Sequence, residues 1–171
     1  MIRILLCCGC AILPLLLGCG RGVSLRVADE KDLAALVVQH HGQVVLVDCW
    51  ANWCEPCVKQ FPHTVALSRQ HAARGLTVVS LNFNETKDYD EVLAFLKKQG
   101  ATFENLLSRY GGGSDKAFEA FDIKSGALPY YMFFDRQGRL RNELGSGANV
   151  QLTPQQIDAA VEKLLAEPAA R

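Results

Sequence analysis

Two cysteines, Cys54 and Cys57, flank Glu55-Pro56 and follow shortly after an acid that ends an apolar run, Val44-Val45-Leu46-Val47-Asp48. Thiols at this spacing close into a disulfide within one turn of helix and reopen with little backbone movement, which suits thiol–disulfide exchange. The thiolate is the reactive form of cysteine, and the free N–H groups and positive dipole end of a helix N-terminus stabilise it. Pro56 fits a first helical turn, where its missing N–H is not needed. Cys54 is therefore the expected nucleophile, facing solvent, and Cys57, deeper in the helix, the resolving thiol. Half of a zinc knuckle has the same spacing; the order strand, Trp53, C-x-Pro-C, helix favours redox chemistry over metal binding. Asp48 is costly at the end of a buried strand unless it has a task, and desolvation should raise its pKa. A strand-end acid hydrogen-bonded to backbone is the plainer alternative. Glu55 places a carboxylate beside Cys54, which opposes thiolate formation and would make the dithiol a stronger reductant.

The elements that must position these groups follow from hydrophobic period. Asp29 to Asp32 opens a helix with Leu33, Leu36 and Val37 on one face, ending near Gly42. The unbroken apolar run from Val44 predicts a strand covered on both faces, as in a parallel sheet. The helix after Cys54 turns Val58, Phe61, Val65 and Leu67 inward, with a kink expected at Pro62. A second core strand spans Leu76 to Phe83. An amphipathic helix covers Tyr89 to Gln99 through Val92, Leu93 and Leu96, and a short strand spans Phe103 to Leu107. Gly111-Gly112-Gly113-Ser114 reads as a flexible loop before a short helix, Asp115 to Phe121. Tyr130–Phe134 and Leu140–Leu144 read as an edge hairpin, and Thr153 caps a last helix over Ile157 to Leu165. This alternation is an α/β domain with a mixed central β-sheet flanked by helices.

The run V-D-C-W-A-N-W-C-E-P-C, Val47 to Cys57, resembles the thioredoxin active-site segment. Trp53 to Pro62 is similar to the extracytoplasmic ResA/TlpA-type branch of that family. Leu81-Asn82-Phe83-Asn84-Glu85-Thr86-Lys87 and Gly126-Ala127-Leu128-Pro129 agree in the right order, so the resemblance spans roughly Leu25 to Leu165. It implies a thioredoxin fold with the TlpA-type helix–strand insertion over Tyr89 to Leu107. It also implies a Cys54–Cys57 redox disulfide, and Asp48 as proton acceptor for Cys57 through water. Glu85 becomes a possible second acid. Pro129 is expected cis, facing the disulfide and leaving the Leu128 backbone free to pair with substrate, where the branch often has Thr. Trp53 and Trp50 supply flat apolar surface, Trp50 equally readable as core. Cys49, opposite in sense to Asp48 along the strand, reads as a buried inert thiol.

The N-terminus carries an address of its own. Arg3 precedes an apolar stretch, Ile4 to Leu17, too short to span a bilayer and of signal-peptide length. Leu16-Leu17-Gly18-Cys19 resembles a bacterial lipobox, which makes residues 1–18 a lipoprotein signal peptide and Cys19 the lipidated residue. Residues 19–25 are then a short tether and residues 26–167 the domain. An ordinary cleaved signal, with Cys19 incidental, is the competing reading. Cys7, Cys8 and Cys10 would leave with the signal. Net charge is zero over 171 residues and no basic stripe is present, so nucleic acid is excluded as a partner. His40, His41, His63 and His71 read as solvated or structural. Beyond the signal-peptide stretch no second C-x-x-C or H-x-x-x-H accompanies the thiols, so no metal and no cofactor is expected.

The leading reading is a membrane-tethered, extracytoplasmic thiol–disulfide oxidoreductase that reduces protein disulfides. The resemblance brings apocytochrome c as one substrate class and a membrane thiol as electron donor, and the chain is expected to act as a monomer. A disulfide-forming oxidant, a soft-metal module for an ion such as Cu(I), and a peroxidase are the competing functions.

Overall fold

A computed structural model of the chain describes residues 22–145 and 152–168. The signal-peptide and lipobox readings at residues 1–19, with Cys7, Cys8, Cys10 and Cys19, lie outside the described residues. Six strands form one sheet: β1 (Arg26–Ala28), β2 (Val44–Trp50), β3 (Leu76–Asn82), β4 (Glu104–Ser108), β5 (Tyr130–Phe134) and β6 (Leu140–Gly145), in the order β1-β4-β3-β2-β5-β6. The β1–β4, β4–β3 and β3–β2 pairs are parallel, and β2–β5 and β5–β6 are antiparallel. The sheet is therefore mixed, as expected. Every residue of β2 is buried, which is why its sequence shows no alternation.

Among the described residues five α-helices flank the sheet: α1 (Glu30–Gln39), α2 (Glu55–Gln70), α3 (Tyr89–Gln99), α4 (Asp115–Ala120) and α5 (Pro154–Leu165). Val45, Val47, Cys49, Val79 and Leu81 belong to one buried cluster with Leu33 of α1, Phe61 of α2 and Leu96 of α3. A second cluster joins Leu46, Val78, Tyr131 and Phe133 of the sheet to Leu67 of α2 and to Ile157 and Val161 of α5. Helix α2 runs without a break through Pro62 despite the backbone hydrogen bond that proline removes. The helix–strand unit expected between Tyr89 and Leu107 is α3 and β4, and it inserts β4 between β1 and β3. Strand β1 has no counterpart in the hydrophobic pattern, because three residues with only Ala28 buried carry too little period to read. Just before it, Leu25 is buried and its carbonyl accepts from the Tyr89 hydroxyl, while the Ser24 carbonyl accepts from Asn105 Nδ2 at 3.1 Å. Among the described residues no helix is long and apolar enough to cross a membrane.

Candidate active site

Strand β2 ends at Trp50, a three-residue turn follows, and Cys54 is the N-cap of α2 with an extended backbone. Its sulfur accepts the Cys57 N–H at 3.4 Å, taking the place of a capping oxygen. Glu55 and Pro56 fill the first turn of α2. Cys54 and Cys57 form a disulfide with a Cα–Cα distance of 5.3 Å. Cys54 was expected to face solvent. It is only 6 % exposed against 2 % for Cys57, because the closed disulfide tucks both sulfurs against the core. The pair as a whole is recessed. Trp53, 56 % exposed, is the apolar surface presented beside it, whereas Trp50 is wholly core, packed on Phe61 and Phe95 at ring distances of 4.6 and 4.8 Å.

The Leu128–Pro129 bond is cis, as expected. Tyr130 pairs with Cys49 across β2–β5, so Leu128 and Pro129 lie at the C-terminal end of β2, where the Cys54 turn leaves the sheet. Glu143 on β6 braces this segment from both sides. It accepts from Lys124 Nζ at 2.5 Å and from the Tyr130 hydroxyl at 2.6 Å. Nothing in the spacing of these three residues announces the brace, which depends on the hairpin register.

Asp48, 2 % exposed, accepts a 2.6 Å hydrogen bond from the Thr64 hydroxyl of α2. Burial raises its carboxyl to about 7, the Thr64 hydrogen bond working in the opposite direction. The predicted direction is therefore found, and its partner is a side chain rather than the backbone. Thr64 follows Cys57 by two helical turns, on the same face of α2. Tyr131 stands opposite Asp48 in the sheet, its phenol pushed up by burial and by the Asp48 charge. Cys49 is a buried free thiol, likewise pushed well up by burial and by Asp48, which keeps it neutral and inert.

Two readings gain structural detail. Glu55 was read as a charge set against the Cys54 thiolate. Lys59 engages it at 2.6 Å on the open surface of α2, holding its carboxyl below the usual range through that hydrogen bond and the ammonium charge. The local charge is balanced, so Glu55 no longer argues for a reducing couple. The Gly111–Gly113 stretch was read as flexible loop. Its three glycines all take positive φ (72°, 40° and 62°), and the backbone serves as a seat. A Cβ on Gly113 would stand 2.6 Å from Trp53 Cζ2, and Cβ atoms on Gly111 and Gly112 would collide with the Glu85 carboxylate. Glu85 is exposed and precedes a short turn, Thr86–Asp88, so the seat places it on the same rim as Trp53.

The rim is tied down by asparagines that the sequence reading did not single out. Asn84 Oδ1 accepts from the Asn52 N–H at 2.9 Å, and Asn82 Oδ1 accepts from the Asn84 N–H at 2.8 Å. Asn52 Nδ2 reaches Glu91 of α3 at 3.0 Å. Two of the histidines have acidic partners, His63 pairing with Asp158 at 2.8 Å and His71 with Glu162 at 3.8 Å.

A mixed sheet whose central strand delivers a disulfide to a helix N-terminus, opposite a cis proline, is a thioredoxin-like fold. The solved structures agree in fold. Thiol:disulfide interchange protein DsbE from Chlorobium tepidum superposes with a TM-score of 0.62 at 21% identity, over 76% of this chain and 85% of that one. A secreted Mycobacterium tuberculosis disulfide oxidoreductase gives 0.58 at 16% identity, over 74% and 86%. The Redoxin family profile matches residues 27–160, and the chain belongs to the Redoxin family. Among curated relatives, thiol-disulfide oxidoreductase ResA of Bacillus subtilis (strain 168) is 27% identical over 99 residues, 58% of this chain and 51% of ResA. Thiol:disulfide interchange protein HelX of Rhodobacter capsulatus is 26% identical over 129 residues, 75% of this chain and 64% of HelX. The match thus spans between half and two thirds of the length of these two relatives.

Proposed function

We propose that this chain is an extracytoplasmic thiol–disulfide oxidoreductase that reduces protein disulfides. The observation that carries the reading is the Cys54–Cys57 disulfide at the N-terminus of α2, with a buried Asp48 bonded to the same helix. In the reduced protein the Cys54 thiolate attacks a substrate disulfide. A bond forms from Cys54 to one substrate sulfur, and the other substrate sulfur leaves as thiolate and takes a proton. Asp48 takes the Cys57 proton through water, and the Cys57 thiolate attacks the Cys54 sulfur. The second substrate sulfur departs, leaving the protein oxidised and the substrate with two thiols. Trp53 and the Leu128–Pro129 segment line the approach, and Glu85 on the same rim is a second acid within the site.

The direction is reducing because the Cys54 sulfur has a single N–H donor and no cation bonded to it among the described residues. Strong oxidants instead hold their thiolate with a much lowered pKa. Residues 1–18 act as a lipoprotein signal and Cys19 as the lipid anchor, with 19–25 as tether and 26–167 as the domain, facing the periplasm in a Gram-negative cell. A membrane thiol donor re-reduces the pair, and apocytochrome c is the substrate class brought by resemblance to the ResA/TlpA type. Glutathione equilibration of the Cys54–Cys57 couple tests the direction. A midpoint near thioredoxin's roughly −270 mV is expected, and one above about −180 mV makes the chain an oxidant. Capture of mixed disulfides by Cys57→Ser then identifies the substrate.

A further inference from the structure

The proposed exchange requires Asp48 to gain a proton and then lose it while fully enclosed, and what surrounds it is sparse. Tyr131 faces it from β5, a neutral phenol whose O–H donates to Gln60 Oε1 of α2 at 3.4 Å. Ser80 is its register partner on β3, but the Ser80 hydroxyl is committed to Asn105 Oδ1 at 2.8 Å. Along β2, the neighbouring thiol of Cys49 is neutral. Helix α5 brings Ile157 and Val161 to this face of the sheet. On α2, His63 turns to Asp158 at 2.8 Å, and Cys57 is the thiol to be served. Among the described residues no cation is bonded to Asp48, and its hydrogen-bond partner is the Thr64 hydroxyl, itself 0 % exposed.

We infer that Thr64 is a positioning residue for thiol exchange: its hydroxyl follows the proton on Asp48, donating to the carboxylate and accepting from the acid. A hydroxyl carries one proton and two lone pairs and rotates about its C–O bond, so it satisfies either state of a buried carboxyl. A carboxylate enclosed without any donor would stay protonated far above its usual range and could not act as a base. The inference rests on the proposed function only in its kinetic part, because the hydrogen bond governs the titration of Asp48 whatever the substrate. The Tyr131 hydroxyl donates to Gln60 Oε1 at 3.4 Å, so the Thr64 hydroxyl is the donor that Asp48 receives among the described residues.

The test is a titration of the Asp48 carboxyl carbon by NMR in the reduced full chain, beside single-turnover resolution of a Cys54 mixed disulfide. Thr64→Val keeps the shape and removes the hydroxyl. It should raise the Asp48 midpoint by about one to two pH units, the worth of one hydrogen bond to a charged group. Resolution at neutral pH should then slow by about five- to fifty-fold and recover as pH approaches the new midpoint. Thr64→Ser should restore both, and Thr64→Ala should repeat the upward shift. A midpoint in Thr64→Val and Thr64→Ala equal to wild type overturns the inference, as does a folded Thr64→Ser that titrates like Thr64→Val. If the midpoints move as expected while resolution rates do not, Thr64 is confirmed as the partner of Asp48, and the reading of Asp48 as the Cys57 base fails separately.

Discussion

Asp48 and Asp135 each show only 2 % of their surface, Asp48 inside the core and Asp135 in a turn covered by arginines, and the fold pushes their carboxyls in opposite directions. Asp135 lies in the turn after β5. Its Oδ1 accepts the N–H groups of Gln137 and Arg139 at 2.9 and 3.0 Å, and its Oδ2 accepts from Arg139 Nε and Arg141 Nη1 at 2.9 and 3.0 Å. Burial would raise its carboxyl, but the Arg139 hydrogen bonds and those of Arg141 and Gln137 outweigh it and pull the group to about 2. Asp48 has one neutral hydroxyl, and burial carries it to about 7. Enclosure alone therefore does not make an acid reactive. Asp135 is a permanent anion that pins the β5–β6 hairpin, and through it the Leu128–Pro129 wall. Asp48 is left near the point where it can take or release a proton.

The comparison predicts opposite stability profiles. Asp48 binds its proton more tightly folded than unfolded, so its contribution is fully present below about pH 4 and is lost as pH rises toward 7. Asp48→Asn should therefore stabilise the protein by on the order of 4 kcal/mol at pH 8 and by almost nothing near pH 4, measured by urea unfolding. A mutant with no gain at pH 8 would erase the contrast. Asp135 runs the other way. Its folded affinity for a proton is lower than in the unfolded chain, so its contribution is present above about pH 4 and lost as pH falls toward 2. Asp135→Ala should lower unfolding free energy at pH 7 by about 2 kcal/mol, through the hydrogen bonds it removes. Equal stability of that mutant and wild type at pH 7 would show the arginines to be ornamental. The smallest effect belongs to an exposed carboxylate. Glu55→Gln should leave the midpoint potential of the couple unmoved, since Lys59 already balances it. A shift to a more oxidising value in a glutathione titration would return Glu55 to a tuning role.

Much of this contrast was legible at one end and hidden at the other. The strand, the redox pair, the helix and Asp48 lie within thirty positions of each other and announce themselves by type and spacing. Cis Pro129 came through resemblance, from a proline ahead of an apolar strand. Thr64 was invisible because a threonine inside an amphipathic helix carries no signal until the sheet places Asp48 beneath it. Asp135 and its arginines read as an ordinary turn, and their pairing depends on the hairpin register. The three glycines were visible as a loop, but their use as a seat for Trp53 and Glu85 requires knowing which side chains lie across from them. Glu55 shows the converse: adjacency to Cys54 was plain in sequence, and its neutralisation by Lys59 one turn on was overlooked.

The central claim is that Asp48 takes the proton from Cys57. Single-turnover release of a Cys54 mixed disulfide, followed by stopped flow from about pH 5 to pH 9, tests it most directly in wild type and Asp48→Asn. The wild-type rate should rise through a midpoint near 7, where the carboxyl titrates. The mutant should remain slow there and converge on wild type only as pH approaches the ordinary thiol range of about 8.5. Identical profiles would contradict the claim, leaving Asp48 as structure and moving the search for the base to Glu85.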